Sequence, residues 1–181
     1  MINNNNNFNN PLSATSIRTV SGIWVNVFDP KPEMFIIEDI AHALAFQCRF
    51  GGHLPEFYSV AQHSVLCSIL ADKEHKFAAL MHDTSEAYLL DIPRPIKGGL
   101  GNYKEIEYRV MDVIAKKFGF QFPFHKNIKE VDERMLVTEW HEVMLQDKTP
   151  FSFKCLSPLE AKNEFLEAFY KLQSIEVPQH S

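Results

Sequence analysis

Residues that favour β-strands are gathered in one place in this sequence. Val20, Ile23, Trp24, Val25, Val27 and Phe28 fall between Thr19 and Pro32, closed by Asp29-Pro30 and Pro32, and no comparable stretch follows. Proline fixes its own φ and brings no N–H to a ladder, so a short hairpin or extended lead-in is what these residues can form. A large sheet is excluded. The rest of the 181 residues must bury its apolar side chains through helices.

The apolar spacing downstream is helical. Ile37, Ile40, Ala41, Leu44 and Cys48 recur at three- and four-residue intervals and stop at Gly51-Gly52. A second helix is expected from about Ser59 to Ala71, with Val60, Cys67 and Leu70 inward. A third carries Phe77, Leu80 and Met81, continues through Glu86 and stops before Pro93. Asn102, with Glu105 three residues on, predicts an N-cap and capping box ahead of Ile106, Val110, Ile114 and Phe118, and Gly119 is the stop. Residues 126 to 146 are periodic through Ile128, Val131, Met135 and Trp140. The last helix starts at Ser157 as N-cap, with Pro158 at its first position, Glu160 completing the box, and Leu159, Phe165 and Phe169 inward. The expected fold is all-α with a short N-terminal hairpin lead-in. One domain over 19–175 stands between a flexible, asparagine-rich tail at 1–18 and a short tail at 176–181.

Charge and cysteines bound the partners and the compartment. Lys and Arg number 18 against 23 Asp and Glu, and no basic run appears, which argues against polymeric nucleic acid. No apolar run reaches the roughly 18 residues that span a bilayer. The segment Met1 to Asn10 lacks the basic and apolar regions of a signal peptide. Cys48, Cys67 and Cys155 are odd in number, far apart and outside CxxC spacing, as expected of reduced thiols in a cytoplasmic protein with no membrane partner.

Chemistry enters with the pair His82-Asp83 in an apolar helical segment. An imidazole beside a carboxylate offers nitrogen and oxygen donors to a single divalent ion. His63 lies on the preceding helix and Asp132 on a later one. Helix bundles build metal sites from side chains that converge in this way. Two histidines and two aspartates make a mixed N/O site with room for water and substrate, suited to Mn, Co, Fe or Zn and unlike a closed structural zinc site.

The segments Val60-Ala61-Gln62-His63-Ser64 and His82-Asp83-Thr84-Ser85-Glu86, followed by Asp91-Ile92-Pro93-Arg94-Pro95-Ile96-Lys97, resemble the metal-binding and nucleotidase motifs of HD-domain phosphohydrolases. Within that superfamily the chain is similar to the 5′-deoxyribonucleotidases of YfbR type and to phage enzymes that hydrolyse dATP, over roughly 49–132. The resemblance implies an HD-domain helical bundle and a metal-dependent hydrolase of a small (deoxy)nucleotide, with water attacking the α-phosphorus. It implies His63, His82, Asp83 and Asp132 as ligands of a divalent ion (Mn, Co, Zn or Mg). It implies Glu86 as the catalytic carboxylate, Arg49 as the phosphate grip, Asp91 as a sugar contact and Lys97 as added charge near the phosphate. A homo-oligomer is the common assembly of such enzymes.

The match has departures. Phe50 stands where the nucleotidases carry tryptophan against the sugar, Gln62 replaces a glutamate, and the loop 51–58 adds His53 as a possible phosphate or second-metal contact. His42, His75, His125, His141 and His180 match nothing in the motifs. Phosphate released from a monophosphate and triphosphate released from a dNTP remain open, since both reactions break a bond at the α-phosphorus. Two other classes stand beside the hydrolase. A di-iron oxygenase on the same scaffold would need His53 as a further ligand, and a non-catalytic nucleotide-binding module would have no use for Glu86.

Overall fold

The computed structural model describes residues 15–147 and 152–176. The expected tails therefore fall largely outside the described residues, at 1–14 and 177–181. The protein is mostly helical with a single two-stranded hairpin. Strand β1, Ser16–Arg18, pairs antiparallel with β2, Trp24–Asn26, with Ile17 opposite Val25. The hairpin thus begins inside the stretch assigned to the tail by sequence. Asp39 ties it down: Oδ1 accepts from the Ser21 amide at 3.0 Å and Oδ2 from the Ser21 hydroxyl at 2.6 Å.

Eight helices follow among the described residues. They are α1 (Ile37–Phe46), α2 (Val60–Leu70), α3 (Lys76–Met81), α4 (Glu86–Leu89), α5 (Arg94–Lys97), α6 (Tyr103–Phe118), α7 (Lys126–Glu139) and α8 (Pro158–Glu176). Helix α2 is the axis, packed against α1, α3, α7 and α8. All residues from Val60 to Ser68 are buried, so this part of the helix has no solvent face, and its polar side chains need partners inside the protein. Its start is fixed by Ser59, whose hydroxyl accepts from the Gln62 amide at 3.2 Å. Its end is closed by the Lys76 ammonium, which donates to the Ser68 and Ile69 carbonyls. Apolar packing divides about this axis. Phe35, Leu44, Leu80, Ile114, Phe165 and Phe169 fill one side. Tyr58, Ile128, Val131 and Met135 fill the other.

Three expectations are corrected. The third helix does not run unbroken through Glu86: His82 to Ser85 form turns between α3 and α4. There the Thr84 hydroxyl and amide both donate to the Met81 carbonyl, and the Glu86 amide donates to the Asp83 carbonyl. Hydrogen bonds to the third preceding residue replace the α-helical pattern and swing Asp83 out of a regular helix. Asn102 precedes α6 as expected but makes no side-chain cap: its backbone is not extended (φ −92°, ψ 11°), and the Glu105 amide donates to the Asn102 carbonyl at 3.1 Å, while the Glu105 carboxylate pairs with Arg109. Leu159, expected inward, is 64% exposed, and Trp140, the last apolar residue named in the periodic stretch 126–146, is 46% exposed. The capping box of α8 does form, with Glu160 accepting from the Ser157 amide at 2.8 Å. Gly119 also closes α6, at φ +80°. Among the described residues no helix is long and apolar enough to cross a membrane.

Candidate active site

The four expected ligands arrive from three parts of the fold. His63 is central in α2, His82 and Asp83 are in the turn after α3, and Asp132 is on α7. His63 Nε2 lies 3.3 Å from His82 Nε2, 3.4 Å from Asp83 Oδ2 and 3.4 Å from Asp132 Oδ1. His82 Nε2 lies 3.2 Å from Asp83 Oδ2 and 3.9 Å from Asp132 Oδ1. Donors placed about 2.1 Å from one divalent ion stand roughly 3.0–3.4 Å apart at the edges of an octahedron or tetrahedron. The donor set fits such an ion.

The imidazoles are also turned for it. His82 Nδ1 donates to the Ala79 carbonyl at 2.7 Å, and His63 Nδ1 donates to Glu139 Oε1. Fixing each Nδ1–H leaves both Nε2 atoms facing the cluster, the tautomer that a metal ligand needs. Burial opposes charge on His82, yet the Asp83 carboxylate beside it holds its pKa up at about 9. Asp83 is likewise lowered: burial works the other way, but the two histidines and Arg49 outweigh it. These shifts show strong attraction among donors that a cation could satisfy together.

Cys67, one turn after His63, completes a buried His63–Cys67–His82 cluster that could hold a metal ion. Its Sγ lies 3.5 Å from Nε2 and 3.9 Å from Nδ1 of His63. Near-equal approach to both nitrogens places the sulfur against the ring, as packing does. The two histidines with the two aspartates are therefore the better donor set.

A cavity of about 860 Å³ opens above the cluster. Arg49, Asp83, Glu86, Asp91, Lys97 and Asp132 give it a charged side. Phe50, Ile92, Pro93, Leu136, Val137 and Trp140 give it an apolar one. Arg49 is held from below by Glu139 Oε2, 3.0 Å from Nη2, while Nη1 is 3.6 Å from Asp91 and 3.8 Å from Asp83. Its Nε is buried without a partner, and so is Glu86 Oε2. Burial, and then the Asp83 and Asp91 carboxylates, push the Glu86 carboxyl well above the usual carboxylate range. Lys97 lines the pocket but is paired with Glu107.

The loop carrying Arg49 is clamped at its base. The Arg49 amide donates to the Tyr58 carbonyl at 2.8 Å, and the Val60 amide to Gln47 at 3.1 Å. Phe50 and Gly51 then both take left-handed backbone angles, φ +55° and φ +62°. Such a conformation costs a side-chain-bearing residue about 1–2 kcal/mol. It places the Phe50 ring in the pocket wall. Gln47 organises the opposite rim: its Nε2 donates to the Glu86 carbonyl at 2.9 Å, and its Oε1 accepts from the Asp91 amide at 3.2 Å.

The fold thus gathers His63, His82, Asp83, Asp132, Glu86, Arg49, Phe50, Asp91 and Lys97 at one place. His53 is exposed and outside the pocket lining, so it is not available as the extra ligand that a di-iron centre would require. Glu139 was missed by the sequence reading. Wholly buried, it accepts from His63, from Arg49 and from the Tyr58 hydroxyl at 2.8 Å. Its position seven residues after Asp132, hence on the same helix face, was the available signal. His141, which matched no motif, lines the pocket as well.

No family model matches this chain. It is similar to the uncharacterized protein YfdR of Escherichia coli K12, 39% identical over 171 residues that cover 88% of this chain and 96% of YfdR. An uncharacterized protein of Rhodobacter capsulatus is 35% identical over 129 residues, covering 64% of this chain and 66% of that protein.

Proposed function

The chain belongs to the YfdR family, and from that premise and the geometry of the pocket we propose a metal-dependent phosphohydrolase of the HD-domain type. It hydrolyses a small (deoxy)nucleotide at the α-phosphorus, as a 5′-deoxynucleotidase or a dNTP triphosphohydrolase. The observation that carries the reading is the convergence of His63, His82, Asp83 and Asp132 beneath a pocket that also holds Arg49 and Glu86. When bound, a divalent ion such as Mn, Co, Zn or Mg supplies charge neutralisation at a phosphoryl oxygen and a lowered pKa for water.

The protein's own residues do the rest. Arg49 is held on two sides by carboxylates and lines the pocket, where its guanidinium can donate to a phosphate oxygen. Burial and two neighbouring carboxylates raise the Glu86 pKa and so favour its protonated form. Glu86 can release that proton to the 5′-oxygen of the departing nucleoside, which both candidate reactions require. Asp91, steadied through Gln47, stands where the sugar would pass. Pure binding needs no buried acid at this position, which is why a non-catalytic module is the weaker reading. Three free cysteines accord with a cytoplasmic setting.

The deciding experiment offers nucleoside mono-, di- and triphosphates with Mn, Co, Mg or Zn and identifies the phosphate product. Metal-dependent release of phosphate or triphosphate is expected, with loss in His82→Ala and Asp83→Ala. Nucleotide binding with no phosphate species from any pair would overturn the proposal.

A further inference from the structure

Helix α7 does not stop after Glu139 but widens into a π-helical turn, Trp140–Met144. π-turns are rare and gather at functional sites. Two neighbours at this junction differ in their roles. Glu139 is fully buried beneath the pocket, whereas Trp140 is 46% exposed and lines it. An indole that could have joined the core instead faces a cavity.

Beside Trp140 in the pocket lining stands Phe50, the residue held in left-handed backbone. The two ring centroids are 6.3 Å apart with their planes at 46°. A planar ring sandwiched between them needs about 7 Å, two carbon contact distances of about 3.5 Å. An exposed Trp140 side chain can make that adjustment by turning. The Arg49 guanidinium carbon lies over the Phe50 ring, 5.8 Å from its centroid, so the anion grip borders the aromatic pair. Anion grip and aromatic pair thus line one pocket side by side, as the two ends of a mononucleotide require.

We propose that Trp140 and Phe50 form a clamp for a planar nitrogenous base, with Trp140 as a binding residue for the base end of the ligand. The inference rests on the nucleotide reading for its choice of ligand, though the clamp can be measured without turnover. Stacking tolerates every base, since each has a π-face, so affinity is gained without choosing among bases. Specificity of that kind would have to come from other contacts.

The test uses Trp24→Phe protein, which leaves Trp140 as the only tryptophan; Trp24 lies in the hairpin, away from the pocket. Emission is followed on titration with dAMP, adenosine and 2-deoxyribose 5-phosphate. Quenching by the two base-bearing ligands and none by the sugar phosphate is expected. With turnover, Trp140→Ala should raise KM for nucleotides about tenfold and leave kcat within about twofold. Trp140→Phe should recover most of the loss. Hydrolysis of 2-deoxyribose 5-phosphate should be indifferent to either change. If adenosine and dAMP leave the emission unchanged, or Trp140→Ala weakens the sugar phosphate equally, the clamp is wrong while the hydrolase reading stands. If the wild-type protein releases no phosphate but the base-bearing ligands still quench, the clamp stands and the hydrolase reading falls.

Discussion

Glu139 shows how much a single carboxylate can govern. It orients His63 and holds Arg49, so the donor set and the anion grip share one buried anchor. Glu139→Gln keeps the shape but weakens both charge-assisted bonds. Apparent affinity for Mn or Co, measured by competition with a chromophoric chelator, should fall about 10- to 100-fold. An unchanged affinity would mean that His63 is oriented by packing alone. By contrast His53→Ala should leave metal binding and turnover within about twofold, because the imidazole is exposed and outside the pocket. The convergence of His63, His82, Asp83 and Glu86 at one place was legible in the sequence because these residues lie in short strings whose residue types state their chemistry. Glu139 and Trp140 were not, because an isolated Glu-Trp pair in a periodic helix reads as one surface residue and one core residue.

At the scale of elements, two helix starts that look alike in sequence behave differently. Ser157 and Glu160 close a reciprocal box on α8, while Asn102 donates and accepts nothing as a cap for α6. Ser157→Ala should cost about 1 kcal/mol, lowering Tm by about 2–4 °C. Asn102→Ala should move Tm by less than about 1 °C in the same melting experiment. Equal shifts would show that local cap chemistry does not control these starts. At the second start the Asn102 backbone is not extended, and the Glu105 carboxylate pairs with Arg109 one turn along its own helix. The break between α3 and α4 was invisible for a related reason. Apolar periodicity continues through it, and the shortened hydrogen bonds of Thr84 are a choice of geometry, not of composition.

For the whole molecule, the donor cluster is a tie between parts distant in the chain. His63, the 82–83 turn and Asp132 belong to α2, the α3–α4 junction and α7, which are otherwise joined by packing, by the His63–Glu139 bond and by the Lys76 bonds to the end of α2. An ion that binds the folded state alone stabilises it by about 2.7 kcal/mol at a hundredfold excess over its dissociation constant. Scanning calorimetry of chelator-treated protein, then with Mn or Co restored, should show Tm rising by about 5–10 °C. The same addition to His82→Ala should give a much smaller rise. No difference between the two proteins would remove the ion from this cluster.

The sequence by itself determined the class of fold and named most of the polar residues that line the pocket. Strand-forming residues confined to one stretch left helices as the means of burial, and His82-Asp83, His63 and Asp132 carried their donor chemistry openly. Tertiary structure decided which donors meet, that His53 stands apart, and that Glu139 turns inward while Trp140 turns to the cavity. Spacing along a chain fixes a side chain's face on its own helix. Only the packing of one helix against others fixes what that face meets.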